Sequence, residues 1–499
     1  MWLAITLIGG PFGRGLLRSL SQDFQAAIPP AFCRPASPML GPSGEPSSTS
    51  LKRRVLSAGA WSLGGYSLNY ALRFGTNLLM TRLLVPDMFG TMAIATIVMT
   101  GLAMFSDLGL RQSIVQSKRG NDPAFLNTAW SIQIIRGGLL WFLALGISML
   151  VAHANSRGLV PKDSVYADPN LPWVIAVLSF GTVIVGFGST KTAEASRNLT
   201  LGRLMLIDIF GQIAALICML GWIWVDRSIW ALVAGSICWS LTITLLSHIW
   251  LPGTANRWHW DPSAFHDIFH FGKWIFVASI LSFLAANGDR LLLGGLVDAT
   301  LLGIYVIAFQ IFSSIEQVLA GIIAGVSFPA LSEIARERPA ALKVSYYRIH
   351  MPIALVAYTC SGILMTSGQS LIDLLYDARY AQAGWMLQVL AAALLAAPFQ
   401  IAIQCFVALG VPHVLSRVLA LRLAVLALAM VGGYHLFDVA GALLGLVASH
   451  LLCLPMIIFH CVRHGLFDLR RELLFLPMVV VGMIVGWILT FFIGLYTGS

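Results

Sequence analysis

The chain has 499 residues, 58% of them hydrophobic and only 11% charged, with a mean hydropathy of +0.82. Soluble domains carry about 25% charged residues, so the composition excludes a soluble globular protein and specifies a polytopic membrane protein. The formal net charge of +9 makes no case for a nucleic-acid partner, because excess Lys and Arg in a membrane protein marks its cytoplasmic loops.

Residues 1–50 differ from everything after them. The run MWLAITLIGG is too short to span a bilayer, and a Pro- and Ser-rich stretch, PASPMLGPSGEPSSTS, comes later. No small-residue cleavage site follows the apolar run, so the segment reads as a disordered leader or an over-called start rather than a cleaved signal peptide. A spanning helix needs about 20 apolar residues. The chain offers candidates at 55–81, 88–110, 127–152, 172–190, 204–225 and 229–250, a second set at 271–297, 301–326, 348–370, 384–409, 414–435 and 439–461, and a last at 473–496.

Thirteen spans put the N-terminus inside and the C-terminus outside. With Lys52, Arg53 and Arg54 inside, twenty basic residues fall in the inside loops, Arg422 counted among them. Five fall outside: Arg82, Arg157, Lys162, Arg227 and Arg379. That asymmetry fits the positive-inside rule. The seven cysteines form no CxxC pair and read as small buried hydrophobes. Trp258-His259-Trp260 and the His266/His270 pair around Asp267 read as interfacial anchoring rather than a metal site. Gly181, Gly186 and Gly188 read as points of close helix packing. The chain lacks a GxxxxGK[ST] run, so no ATP-driven step is encoded in it.

A shift of 213 positions lays the first span on the seventh. GAWSLGGYSLNYALRFGTNLLMTRLLVPDMFGTMAIA (59–95) aligns without a gap on GKWIFVASILSFLAANGDRLLLGGLVDATLLGIYVIA (272–308), with Gly75, Leu83, Gly90 and Ile94 among ten matches. PWVIAVL (172–178) aligns with GWMLQVL (384–390) at a shift of 212. Six spans per copy give both copies one orientation. Parallel repeats of this kind pack about an axis along the membrane normal and place a substrate site between them.

The RLLVPDMFG turn, FSDLGLRQSIVQ after it, the second-copy stretch just quoted and SRNLTLGRLMLIDIFGQ (196–212) resemble the polysaccharide-export branch of the multidrug/oligosaccharidyl-lipid/polysaccharide exporter superfamily. The resemblance covers about 52–462. It implies an all-α fold of twelve helices, an N-terminal six-helix lobe at 51–256 and a C-terminal one at 257–462 around a central cavity; the extra transmembrane helix in 463–499 departs from that twelve-helix pattern. It implies a flippase, not an enzyme, moving lipid-linked oligosaccharide across the bacterial inner membrane for O-antigen or exopolysaccharide and capsule biosynthesis. A polysaccharide polymerase and a chain-length regulator are the further partners it implies. A cation-coupled multidrug exporter of the same superfamily would favour an acid-lined cavity, whereas this chain places arginines there; a lipid II-type flippase is a further alternative. A membrane polymerase would need a sizeable catalytic loop, whereas the longest outside loop, 153–171, has about 19 residues and no catalytic cluster.

Asn69, Arg73 and Asn77 are spaced four apart and share one helix face. Lipid cannot hydrogen-bond a polar stripe, so this face should meet protein or water. In repeat register Arg290 falls at position 77, which makes Asn287 and Arg290 in AANGDRLLLGG the second copy's half of a cavity lining. Arginine suits a pyrophosphate-linked cargo because it stays charged when desolvated and forks onto phosphate oxygens. Arg136, one turn after Gln133, is a second candidate station. The plainer reading of Arg290 is an arginine that snorkels or pairs with Asp289. Asp208, Asp289 and Glu316 are the acidic residues at depth; Glu316 and Asp289 are candidates to couple transport to H+ or Na+. No other cofactor is expected.

Overall fold

The computed structural model describes residues 68–497, apart from 106–109, 111–113, 115–118, 199, 339, 340 and 412. The side chains of 105, 201, 266–278, 324–326, 328–330, 496 and 497 are also outside the description. The leader reading, the start of the first span, most of FSDLGLRQSIVQ and the His266/His270 pair therefore lie outside the described residues.

Helices occupy the positions at which apolar runs predict them. In the first half these are α1 (68–83), α2 (Pro86–Phe105), α3 (Pro123–Ser156), α4 (Leu171–Leu178), α5 (Phe180–Gly186), α6 (Lys191–Arg197), α7 (Leu201–Val225) and α8 (Trp230–Ile249). The second half opens with α9 (Pro262–Leu296), α10 (Ala299–Glu337), α11 (Leu342–Leu375) and α12 (Gln382–Leu390). A 3-10 run, Ala391–Phe399, leads into α13 (Gln400–Ala408). Next come α14 and α15, the two arms of His413–Leu451, then α16 (Leu454–Arg463), α17 (Leu469–Phe475) and α18 (Pro477–Thr497).

Among the described residues nine helices are long and apolar enough to cross a membrane, or ten if the bent pair Leu171–Gly186 and Lys191–Arg197 counts as one more. One of the nine is the 51-residue unit His413–Arg463, which would be about 77 Å long if straight, far beyond a hydrocarbon core of about 30 Å. It is a hairpin. Phe437 and Asp438 leave helical geometry, with Asp438 at φ 54° and ψ −142°. A Cβ on Gly433 would meet the Gly441 carbonyl, and one on Gly445 would meet the Ala429 carbonyl, so the arms run antiparallel in backbone contact.

Helix boundaries follow the repeat. α1 ends at 83 and α9 at Leu296, while α2 begins at Pro86 and α10 at Ala299; both pairs differ by 213. α4 ends at Leu178 and α12 at Leu390, a difference of 212. Where α2 crosses α10 the contacts are reciprocal. A Cβ on Gly90 would lie 1.9 Å from the Ala299 oxygen, and one on Gly303 would lie 1.8 Å from the Pro86 oxygen. The shift carries Gly90 onto Gly303 and Pro86 onto Ala299, so a two-fold-like axis passes between the helix starts.

With the basic loops taken as cytoplasmic, this crossing lies on the outer side, and there the halves share one core. Ile94, Val165, Leu171 and Val174 pack in the same buried cluster as Leu293, Leu302, Tyr305 and Leu387. Toward the cytoplasm most buried residues fall in clusters of one half only, though Ala264 of α9 packs with Phe125, Leu126 and Ala129 of α3. One, from Leu319 to Leu466, belongs wholly to the second half, and another, Ala195, Ile207 and Leu251, wholly to the first. The larger shared core thus lies on the outer side, and toward the cytoplasm the halves meet in the smaller cluster around Ala264.

The link between halves is fastened at the cytoplasmic side by capping carboxylates. Asp122 caps α3 by accepting from the Ala124 N–H, and Asp261 caps α9 by accepting from the Ser263 N–H. Arg119 donates to Asp122 at 3.0 Å and to Asp261 at 2.9 Å. That bond, then those from Ser263, holds the Asp261 carboxyl down at about 2. Trp258 and Trp260 are exposed beside it, while the Trp258-His259-Trp260 backbone is pinned by Ser131, whose hydroxyl donates to the His259 carbonyl at 2.9 Å.

The final helix is built into the second half. Gly362 on α11 would clash with the Val479 carbonyl if it carried a Cβ, and Gly482 and Gly486 on α18 would clash with the carbonyls of Thr359 and Ile363. Such close approach of small-residue faces is how helices associate in lipid. At its cytoplasmic end the Tyr347 hydroxyl donates to Glu472 at 3.0 Å, and the same carboxylate lies 3.2 Å from His350.

Candidate functional site

α1 carries three of the expected residues on one side. At about 100° per residue, Arg73 points midway between Asn69 and Asn77. Asn69 is buried and donates through Nδ2 to the Asp208 carboxylate on α7. Asn77 donates through Nδ2 to Gln310 Oε1 on α10, and the Tyr70 hydroxyl donates to Gln317 Oε1 at 2.5 Å. Asn77 to Tyr70 is seven residues back along α1, and Gln310 to Gln317 is seven forward along α10. The two helices therefore run antiparallel along a polar seam between the halves.

Arg73 sits between the contact to α7 and the seam with α10, so it faces the space those helices bound. It is exposed and has no hydrogen-bond or ion-pair partner among the described residues. The Oδ1 atoms of Asn69 and Asn77 on either side of it are buried without partners. This leaves an exposed cation flanked by two amides.

The second-half residues form a different, closed arrangement. Asp289 is 3% exposed and accepts from the Tyr305 hydroxyl at 2.5 Å, with Arg290 Nε 3.6 Å from the same carboxylate oxygen. Arg290 also donates to the Ala286 carbonyl at 2.6 Å and lies 4.4 Å above the Phe309 ring centroid. Its guanidinium is thus engaged by a carboxylate, a carbonyl and an aromatic face. Asn287 donates to the Phe283 carbonyl one turn back in its own helix. The structure does not bring Arg290 against Arg73, although the repeat puts the two on equivalent helices.

Arg136 donates to the Ala103 carbonyl on α2 at 2.6 Å, within the first half. Gln133 donates to the carbonyls of Val185, Gly186 and Gly188, at and just past the end of α5. Gly186 meets the α3 backbone at Gln133 and Gly137, so the close helix packing expected at Gly181, Gly186 and Gly188 is seen at Gly186, while Gly181 and Gly188 make no such backbone approach to another helix. Glu316 lies within Coulombic range of Arg422 and Asp289. Among the described residues no three His, Cys, Asp or Glu are grouped to hold a metal ion.

One cation was misassigned by counting loops. Arg422 is not in an inside loop but inside α14, half-buried, with Nη2 2.6 Å from His450 Nε2 on α15. Its place well within the 414–435 apolar run was the signal that loop counting passed over. Gln310 was also passed over, because a lone amide in an apolar run shows its role only once α1 lies beside it.

The Asp289–Arg290 pair yields an expected result. Arg290→Ala strands a buried carboxylate, and breaking such a pair from one side costs about 3–5 kcal/mol. Asp289→Asn leaves Arg290 its carbonyl and its ring, so the loss should be smaller. The double variant, lacking the stranded charge, should melt above Arg290→Ala alone. Thermal midpoints of the purified variants in detergent check this order; equal midpoints for Arg290→Ala and wild type would mean the pair carries no load.

Comparison with known proteins fits this framework. A family model described as polysaccharide biosynthesis protein matches residues 79–384, more than half of the chain. The lipopolysaccharide biosynthesis protein WzxC of Escherichia coli (strain K12) is 22% identical over 350 residues, 68% of this chain and 67% of that protein. The teichuronic acid biosynthesis protein TuaB of Bacillus subtilis (strain 168) is 22% identical over 289 residues, 57% of this chain and 56% of that protein. Among solved structures, the lipid II flippase MurJ in an inward closed conformation superposes with a TM-score of 0.63 at 11% identity, covering 88% of this chain and 96% of its own. An inward-facing multidrug-resistance MATE transporter of the MOP superfamily gives 0.61 at 14% identity, covering 80% and 94%. The matched stretch 79–384 makes the chain a multi-pass membrane protein of the polysaccharide biosynthesis protein family, with the same fold as MurJ and the MATE transporter.

Proposed function

We propose that this protein flips a polyprenyl-pyrophosphate-linked oligosaccharide across the bacterial inner membrane by alternating access, supplying O-antigen or exopolysaccharide assembly. The observation that carries the proposal is Arg73, an unpartnered guanidinium among the described residues, facing the space between the halves and flanked by Asn69 and Asn77. A fixed arginine at membrane depth is costly unless it serves a site, and its fork suits the oxygens of a pyrophosphate. The amides beside it would hydrogen-bond phosphate or the first sugar. Arg136, Asn287 and Arg290 shape the walls, Arg136 bonded to a carbonyl of α2 and the other two to carbonyls of their own helix. The names of WzxC and TuaB, both proteins of envelope polysaccharide biosynthesis, favour the same class of cargo. Glu316, within Coulombic range of Arg422 and Asp289, and Asp289 itself are the groups through which H+ or Na+ would couple to movement.

A cationic-drug exporter is the weaker reading, because such a cargo would meet Arg73 as a like charge. The discriminating experiment is deletion in the native host. Lipid-linked repeat units should be made but accumulate on the cytoplasmic leaflet, and polymer should disappear from the surface. Unchanged polymer with raised sensitivity to cationic drugs would instead favour the exporter.

A further inference from the structure

On the outer side two short 3-10 turns occupy equivalent places in the repeat. Val165–Ala167 lies between α3 and α4, and Ala378–Tyr380 lies between α11 and α12; the shift of 213 carries one onto the other. Each turn caps the end of a helix in the opposite half. The Val165 N–H donates to the Val297 carbonyl just past the end of α9 at 3.1 Å, and the Tyr166 hydroxyl donates to the Leu291 carbonyl at 3.0 Å. Arg379 donates to the carbonyls of Leu84 at 3.2 Å, Thr81 at 3.1 Å and Arg82 at 3.3 Å, at the end of α1. Val297 and Leu84 are themselves one repeat apart. The arrangement is a crossed pair: each half holds the other by its helix end.

The two holds differ in chemistry. The first is a backbone N–H and a neutral phenol. The second is a guanidinium placed on three helix-end carbonyls, where intrahelical partners are lacking and the helix dipole is negative. Asp377 braces that guanidinium with Nη2 at 2.5 Å and Nε at 3.1 Å. The Arg379 bond in turn keeps the Asp377 carboxyl below its ordinary range. Arg82 returns the contact by donating to the Leu375 carbonyl at the end of α11 at 3.4 Å, and Tyr380 meets Phe89 edge-on at 6.4 Å.

We propose that these turns are paired latches holding the outer side shut, and that the Arg379–Asp377 latch is the releasable one. It rests on side chains at the water-exposed rim, Arg379 foremost with Arg82 beside it, whereas the first hold keeps the Val165 main-chain bond whatever the side chains. This inference rests on the alternating-access reading above. Its readout needs no cargo, so its failure would not be confused with the failure of that reading.

The test is a distance between the halves at the outer rim. Leu159, on an outer loop of the first half, and Leu436, at the outer end of α14 in the second, are 74% and 75% exposed. Spin labels on Leu159→Cys and Leu436→Cys, with the native cysteines replaced, report separation in detergent and in lipid nanodiscs. Arg379→Ala should add a longer-distance population, raising the outward-open share about tenfold, equivalent to ~1.4 kcal/mol. Arg379→Lys should give an intermediate share, since a point charge cannot fork over three carbonyls, and Tyr166→Phe should change it least. Gel filtration and thermal midpoint show which variants are folded, and Arg379→Lys keeps the test open if alanine fails to fold. Distance distributions for folded Arg379→Ala or Arg379→Lys that overlay wild type would overturn the latch. A Tyr166→Phe effect larger than that of Arg379→Ala would overturn the assignment of Arg379 as the releasable one.

Discussion

Arg73→Ala is expected to abolish polymer export while leaving protein level and membrane insertion at wild-type values. No hydrogen bond or ion pair among the described residues depends on Arg73, so its removal takes nothing from the described packing. If its guanidinium forks onto a pyrophosphate, two charge-assisted hydrogen bonds of about 1.5–3 kcal/mol each are lost, a fall in cargo binding of roughly a hundredfold or more. Arg73→Lys keeps the charge without the planar fork and should restore only part of the export. Surface polymer, quantified against membrane-inserted protein, checks all three chains. Wild-type export from the alanine variant would make Arg73 a residue that merely snorkels toward headgroups.

The second large effect is expected at the helix crossing. Gly303→Val should eliminate transport although the residue touches no expected cargo group. Its Cβ would fall 1.8 Å from the Pro86 carbonyl oxygen, and main chain cannot swing aside as a flexible side chain can. α2 and α10 must part by more than an ångström, so the outer-closed state is lost. Overpacking of a tight contact typically costs about 1–3 kcal/mol, and contact with backbone leaves less room to relax. Gly90→Val, the reciprocal position, should behave alike, and Gly303→Ala should be milder than valine. Export measured beside the outer-rim distance checks this. A Gly303→Val protein that exports normally would show that the crossing can stay open through the cycle.

Much of this architecture was legible in the residues. Apolar runs gave the helices because lipid leaves the backbone no other way to satisfy its polar groups. The 213-residue shift matched Gly90 to Gly303 before either was seen to touch the other half, since only glycine lets two backbones meet at that distance. The four-residue spacing of Asn69, Arg73 and Asn77 gave their shared face. The partners of that face were not legible: nothing local to Gln310 or Gln317 says that α1 will lie beside them. The engagement of Arg290 was hidden for the same reason, because Tyr305 and Phe309 reach it from the following helix. Arg422 was misplaced because charge counting treats every basic residue near a span as a loop residue. The last helix read as a departure from a twelve-helix pattern; Gly362, Gly482 and Gly486 make it part of the second half.

The central claim is that this chain moves a lipid-linked oligosaccharide between leaflets. Purified protein reconstituted into liposomes with a polyprenyl-pyrophosphate oligosaccharide tests it, the sugar's accessibility to an external glycan-binding protein or oxidant being followed over time. Wild-type protein is expected to bring the inner-leaflet pool to the outside at a rate well above protein-free vesicles, and Arg73→Ala to leave it protected. An inner-leaflet pool that stays protected with folded wild-type protein under imposed H+ and Na+ gradients would contradict the account.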